Sequence, residues 1–212
     1  MKASGSTDGV TLAVLAGGRG TRLGGVAKGL IEVGGVPILE RLLLALGPIT
    51  EDVLLVTDDP SPYARFGLRA VPDEQPGHGA PGGLYTALVH ARTDRVLLVA
   101  CDMPFVSVAA VELLRDACRR DAAPLWVCFE REGRLEPMPG LYARALARPL
   151  GDALSENPSF QQVLRRVQGC AVPVSALCAR EPGAASLVSI NTPGDLSRAG
   201  GALPVRRGDE PR

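Results

Sequence analysis

Short apolar runs alternate with stretches of helical period along this chain. Residues 10–15, 53–57 and 96–100 are rich in Val and Leu and bounded by turn residues, which predicts strands buried on both faces, as parallel strands are. A further strand is predicted at 125–129, and 135–142 reads as extended despite its two prolines. Helices are predicted at 37–46, 83–91 and 107–120. Pro37 suits a first helical position, Gly47-Pro48 is a stop, and Ser107 is an N-cap. Downstream the pattern predicts helices at 144–150 and 160–167, with Pro158 ahead of the second, a late strand at 187–190 and a closing helix at 193–199. Strand–helix alternation of this kind predicts an α/β fold with a single doubly wound, mostly parallel sheet. The pattern shows no linker and no repeat. It predicts one domain over 9–200, with loose termini at 1–8 and 201–212 where Gly, Pro and charge dominate.

Composition narrows the function classes. The chain has 212 residues, enough for one domain with a sizeable core. Its 23 basic and 23 acidic residues balance to a formal charge of +0, which argues against a nucleic-acid or membrane-surface partner. No apolar run approaches the roughly 18 residues of a membrane span, and residues 1–9 lack an apolar leader core, so a cytoplasmic protein is expected. The five cysteines contain no Cys-x-x-Cys pair and read as small hydrophobes in a reducing compartment. With only His78 and His90 available, a zinc site is not expected.

The first strand runs into Leu15-Ala16-Gly17-Gly18-Arg19-Gly20-Thr21-Arg22-Leu23-Gly24-Gly25-Val26-Ala27-Lys28, which holds five glycines, two arginines and a lysine. Glycines let a backbone approach an anion and aim its N–H groups inward, while the cations neutralise charge. At the end of the first strand of an α/β sheet, such a loop suits a nucleoside triphosphate. It is not a P-loop, because Lys28 precedes Gly29 instead of Ser or Thr. Nor is it a dinucleotide fingerprint, because Leu23 stands where the third glycine belongs. A solvated glycine-rich surface loop is the plain alternative.

Three further positions carry chemistry. Asp102, in Ala100-Cys101-Asp102-Met103-Pro104, follows a predicted buried strand. It suits either a hard cation such as Mg2+, which travels with triphosphates, or the cap of the next helix. The run from Val71 to Leu84 holds Asp73, Gly79 and Gly83 among four glycines and three prolines, and it leads to a helix N-terminus with free N–H groups. Asp58 follows the second strand, where a carboxylate suits the donor edge of a base or a turn. His78 and His90 read as a loop residue and a surface residue.

The glycine loop resembles the L-A-G-G-x-G-x-R…K signature of nucleotidyltransferases. Its short form, with Gly24-Gly25 and Lys28-Gly29-Leu30, is most similar to that of the molybdenum cofactor guanylyltransferases. The resemblance runs from about Val10 to Leu196. It includes Cys101-Asp102-x-Pro104, the aspartate and turn glycines matched by Asp73, Gly79 and Gly83, a Pro-Leu-x-x-Leu-Tyr-like segment at 136–142, and Ile190-Asn191-Thr192-Pro193. It implies a Rossmann-like nucleotidyltransferase fold and transfer of GMP from GTP to the phosphate of molybdopterin. Leu15, Ala16, Gly17, Gly18, Gly20, Lys28, Asp58, Asp73, Gly79, Gly83 and Asp102 would bind the nucleotide. Lys28, Arg22 and Asp102 would act in catalysis, Asp102 on the metal, and Asn191 on the acceptor side. The implied cofactor is Mg2+, and the implied partners are the two substrates and, transiently, proteins that mature molybdoenzymes.

Two departures stand out. Ala27 occupies a position where the family has an acid, and Ala80-Pro81 replaces its usual Pro-Leu order. Rival readings are a cytidylyltransferase for the same pterin, a sugar-1-phosphate nucleotidyltransferase, and a nucleotide-binding regulator without catalysis. Arg131, Arg134, Arg165 and Arg166 are candidates for an anionic acceptor or a solvated face.

Overall fold

The computed structural model describes residues 9–17, 25–120 and 124–203. Its main sheet has seven strands: β1 (Val10–Leu15), β4 (Asp52–Val56), β5 (Arg69–Val71), β6 (Arg95–Ala100), β7 (Trp126–Arg131), β8 (Arg134–Ala143) and β9 (Gly169–Pro173), in the order β5-β4-β1-β6-β8-β7-β9. All neighbours are parallel except β8, which runs against both β6 and β7. A small antiparallel sheet joins β2 (Glu32–Val33), β3 (Val36–Pro37) and β10 (Gly201–Ala202).

Alternation along β1 explains the layering. Leu12 and Val14 face a core shared with α1 (Ile38–Leu46), α3 (Val108–Arg120) and α6 (Val174–Cys178). Ala13 faces a second core shared with α2 (Gly79–His90), α4 (Ala147–Leu154) and α5 (Phe160–Arg165). Strands with helices on both faces are apolar at most positions, which is why β1 and β6 read as apolar runs broken only by Thr11, whose hydroxyl bonds Thr93, and by Arg95 at the start of β6. Each fully buried Leu adds roughly 1.5–3 kcal/mol. The expected doubly wound, mostly parallel sheet is present.

The differences from expectation have local causes. Helix α2 begins at Gly79 instead of Gly83, because Pro81 falls in the first turn, where its missing N–H breaks no helical bond. Residues 187–190 form no strand. A 3-10 turn covers Pro182–Leu187 and is closed by Val188 N–H on the Ala185 carbonyl, and Ile190 N–H then donates to the Asp102 carbonyl at 2.8 Å. Within the tail expected to be loose, Gly201 and Ala202 instead pair with Val33 and Glu32. Residues 1–8 and 204–212 lie outside the described residues. The prolines of β8 are tolerated because the pairing with β7 jumps from Glu136 to Gly140. Pro137 and Pro139 therefore sit in a bulge where no ladder N–H is needed.

Topology places the site. The chain moves from β1 through β4 to β5 on one side, then crosses to β6 on the other side of β1. The crevice at the carboxyl ends of these strands is the switch point, where open α/β sheets take ligands.

Candidate active site

A cleft of about 470 Å³ opens at that switch point. One wall is built on Lys28, in a 3-10 turn spanning Lys28–Leu30. Gly29 seats this turn: a Cβ there would lie 2.9 Å from the Tyr63 ring, so only glycine lets the turn rest on it. The Lys28 ammonium donates to Asp102 Oδ2 at 2.8 Å and to Asn191 Oδ1 at 2.7 Å. The Lys28 and Asp102 side chains are 21% and 14% exposed, so the pair is held at the surface of the cleft and a ligand can reach it.

Each partner is positioned from the backbone up. Asp102 stands two residues past the end of β6, and its carbonyl takes the Ile190 N–H. That bond delivers Asn191 to Lys28. A capping box fixes the next residues at the start of α7 (Pro193–Arg198): Thr192 accepts from the Asp195 N–H, and Asp195 accepts from Thr192. The Thr192 hydroxyl and the Asn191 N–H hold the Asp195 carboxyl below the usual carboxylate range. Asn191 thus lies beside the cleft on Lys28, with its carboxamide oxygen taken by the ammonium. Cys101, next to Asp102, is only 3% exposed. Burial, reinforced by the Asp102 charge, pushes its thiol up to about 12, which keeps it protonated at neutral pH.

The opposite wall is held by hydrogen bonds. Asp58, after β4, accepts the Asp73 N–H at 3.1 Å. Asp73 Oδ1 accepts from the Gln75 N–H at 3.0 Å and the Thr86 hydroxyl at 2.8 Å. Gly79 and Gly83, at the start of α2, complete this wall with Ala80. Gly79 has φ +58, a left-handed conformation that suits glycine. At Gly83 a Cβ would lie 2.9 Å from Leu15 Cδ2, so the glycine lets α2 close on the end of β1.

Leu15, Gly17, Lys28, Asp58, Asp73, Gly79, Gly83 and Asp102 all line the cleft. Ala16 does not: its N–H continues the ladder to the Val56 carbonyl at 2.9 Å, and its side chain packs against the core. Gly18, Gly20 and Arg22 lie outside the described residues. None of the four candidate arginines lines the cleft. Arg131 and Arg134 face each other at the exposed tip of the β7–β8 hairpin, Arg165 donates to the Gly133 carbonyl, and Arg166 pairs with Glu156. Sequence reasoning missed Thr57, Met138 and Thr86. The bulge in β8 brings Met138 to the cleft, and two prolines inside an extended run were its available signal. Thr86, a hydroxyl inside an apolar helical stretch, was the other.

The family model for the MobA-like NTP transferase domain matches residues 12–179. The chain belongs to this family. It is a nucleotidyltransferase of the molybdenum cofactor guanylyltransferase type. A probable molybdenum cofactor guanylyltransferase of Chloroflexus aggregans is 32% identical over 195 residues, which is 86% of this chain and 89% of the relative. The molybdenum cofactor guanylyltransferase of Pseudomonas aeruginosa is 31% identical over 186 residues, covering 86% and 90%. The crystal structure of molybdopterin-guanine dinucleotide biosynthesis protein A from Archaeoglobus fulgidus matches with a TM-score of 0.77 at 27% identity, over 90% of this chain and 96% of that one. Among the described residues, no helix is long and apolar enough to cross a membrane.

Proposed function

We propose that this enzyme transfers GMP from GTP to the phosphate of molybdopterin and releases pyrophosphate, in the cytoplasm. The observation that carries the reading is the convergence of Lys28, Asp102 and Asn191 on one wall of the switch-point cleft, opposite the wall built by Asp58, Asp73 and the start of α2. A triphosphate on the first wall and a nucleoside on the second fill such a cleft. Proteins that mature molybdoenzymes are the further partners this reading expects, receiving the product.

The donor set fits Mg2+ carried in by the triphosphate. Among the described residues no group of three or more His, Cys, Asp or Glu forms a metal cage. Asp102 instead offers one carboxylate, with Oδ2 on Lys28, and a single carboxylate with phosphate oxygens and water is a usual Mg2+ shell. Bound there, Mg2+ would act as a Lewis acid and neutralise charge on the triphosphate.

In the transfer, an oxygen of the acceptor phosphate attacks the α-phosphorus of GTP. A new P–O bond forms there as the bond to the bridging oxygen of the β-phosphate breaks, and the electron pair leaves with pyrophosphate. Positioning and charge neutralisation are the protein's share. Lys28, already poised between Asp102 and Asn191, turns its ammonium to the α-phosphate and the leaving group. Asp102 is released from its ion pair at the same moment. Asn191 keeps Lys28 oriented through its carboxamide oxygen. No proton transfer is required of the protein, consistent with a wall that presents no titrating His or thiol.

The test is release of pyrophosphate by the purified enzyme with Mg2+, molybdopterin and each of GTP, CTP, ATP and UTP. GTP is expected to support turnover and to raise the melting temperature most; saturation at about 100 times Kd adds about 2.7 kcal/mol. Preference for CTP would move the assignment to a cytidylyl enzyme. Binding of GTP with no transfer to molybdopterin would make the acceptor a different phosphate.

A further inference from the structure

Thr86 is 0% exposed, in the middle of α2. A threonine inside a helix ordinarily bonds back to the carbonyl four residues earlier. Here that carbonyl, Gly82 O, lies 3.1 Å away, while Asp73 Oδ1 lies nearer, at 2.8 Å. The hydroxyl has one proton, and the charged, closer acceptor takes it. The same oxygen accepts the Glu74 N–H at 2.9 Å. A buried hydroxyl therefore ties the segment after β5 to the helix at two consecutive residues.

The tie is tight by construction. A Cβ on Gly82 would lie 2.6 Å from the Gln75 carbonyl and 3.4 Å from Asp73 Oδ2, so the segment can lie on α2 only over a glycine. The Asp73 N–H is fixed by Asp58 Oδ1. Asp73 is thus held at its backbone and at Oδ1, which accepts from both Thr86 and Gln75. Among the described residues Oδ2 has no partner, and Asp73 lines the cleft.

We propose that Thr86 is a positioning residue for nucleotide recognition: its hydroxyl holds Asp73 so that Oδ1 is satisfied by the protein and Oδ2 is left to accept from a donor on the bound nucleoside. This rests on the reading of the cleft as a nucleotide site with Asp73 on the nucleoside wall. Thr86 touches no reacting atom. Its effect falls on nucleotide binding and leaves the chemical step, at the opposite wall, unchanged.

The experiment measures the GTP dissociation constant by calorimetry, and KM and kcat for GTP, in the wild type, Thr86→Val, Thr86→Ser, Asp73→Ala and the Thr86→Val/Asp73→Ala double variant. Thr86→Val keeps the shape and removes the hydroxyl. It is expected to raise Kd and KM about tenfold while kcat stays within about twofold, as for loss of one hydrogen bond to a charged group. Thr86→Ser, which keeps the hydroxyl, is expected to stay within about twofold of the wild type, and Thr86→Val is expected to add no further loss of GTP affinity once Asp73 is Ala, because Thr86 reaches the nucleotide only through Asp73 while its bond from the Glu74 N–H bears on the fold. An unchanged KM in Thr86→Val overturns the proposal. So does an equal loss in Thr86→Val and Thr86→Ser, which would make the methyl packing the cause, and so does full additivity with Asp73→Ala. If Thr86→Val does not fold, Thr86→Ala carries the same cycle; failure of both to fold, with Thr86→Ser intact, would make the hydroxyl a fold determinant and also overturn it. Failure of the wild type itself to bind GTP would instead overturn the nucleotide reading, and the two failures are told apart before any variant is made.

Discussion

The two walls of the cleft are built on different principles. On the Lys28 wall, a cation, a carboxylate and a carboxamide meet at 2.7–2.8 Å with their side chains partly open to solvent. On the Asp73 wall, the Asp73 carboxylate is braced by the Gln75 N–H and a buried hydroxyl, the Asp73 N–H is held by Asp58, and glycines bring helix and strand together. The first wall stores charge that can be redirected, because its groups satisfy one another only until a stronger partner arrives. The second is preorganised, because its groups are held by the fold whether or not a ligand is present. Altering the first wall should therefore cost rate, and altering the second should cost binding or stability.

The largest effect is expected from Lys28→Ala. One electrostatic contact to developing charge is worth about 10²–10³ in rate, while Lys28 contributes little to the core. Turnover should fall by that factor with the melting temperature nearly unchanged. Near-normal turnover would make Lys28 a surface cation and erase the contrast between the walls.

Next comes Asp102→Asn. The change is nearly isosteric, so the Ile190 bond to the Asp102 backbone carbonyl can persist. Loss of the negative charge should raise the Mg2+ concentration for half-maximal rate by about tenfold, equivalent to 1.4 kcal/mol. Titrating activity against Mg2+, with circular dichroism as the folding check, decides it. An unchanged metal dependence would take the metal away from Asp102.

Gly83→Ala probes the second wall. Alanine gains about 1 kcal/mol of helix propensity over glycine, but overpacking costs about 1–3 kcal/mol, and the new Cβ would meet Leu15 Cδ2 at 2.9 Å. Leu15 can shift, so a net loss of about 1 kcal/mol in denaturant unfolding is expected. The displaced Leu15 lines the cleft, so GTP affinity should fall with kcat preserved. A kcat loss without an affinity loss would contradict the division of labour.

The smallest effect is the alkaline limit of the fold beside Asp102. The Cys101 thiol is pushed by burial from the usual 9.0 up to about 12. A group whose folded value is raised releases its proton earlier in the unfolded chain. Its contribution is therefore complete below about pH 9 and declines as pH rises toward about 12. Thermal unfolding scans across that window should show falling stability, with a shallower fall in Cys101→Ala. An identical fall in the variant would assign the effect elsewhere, to Cys128, which is also raised to about 12, or to the buried Tyr142, which is raised well above its usual value.

Much of the architecture was legible in the sequence. The apolar run at β1 matched in full, that at β6 lacked only the first residue of the strand, and that at β4 was displaced by one residue, because burial on both faces leaves a local mark on most positions of a strand. The late strand at 187–190 failed because Leu187 and Ile190 reach the core from an irregular segment while Val188 is exposed, and burial alone does not require a ladder. Asp102 and Lys28 were found from their places after strands and glycines. Thr86 was not, because a hydroxyl in an apolar helix looks the same whether it bonds its own helix or a neighbouring loop.

The chain's own sequence determined that β1, β4, β6 and β7 are strands and α1, α2 and α3 helices, that the sheet is buried on both faces, and which carboxylates and lysine follow those strands, since each of these follows from the spacing of residues close together in the chain. Tertiary structure alone decided that Lys28 meets Asp102, 74 positions away, and Asn191, 163 positions away, and that Asp73 is gripped by Thr86. Those contacts depend on strand order and on how closely a helix approaches a sheet, and such distances are set by packing, which no local pattern records.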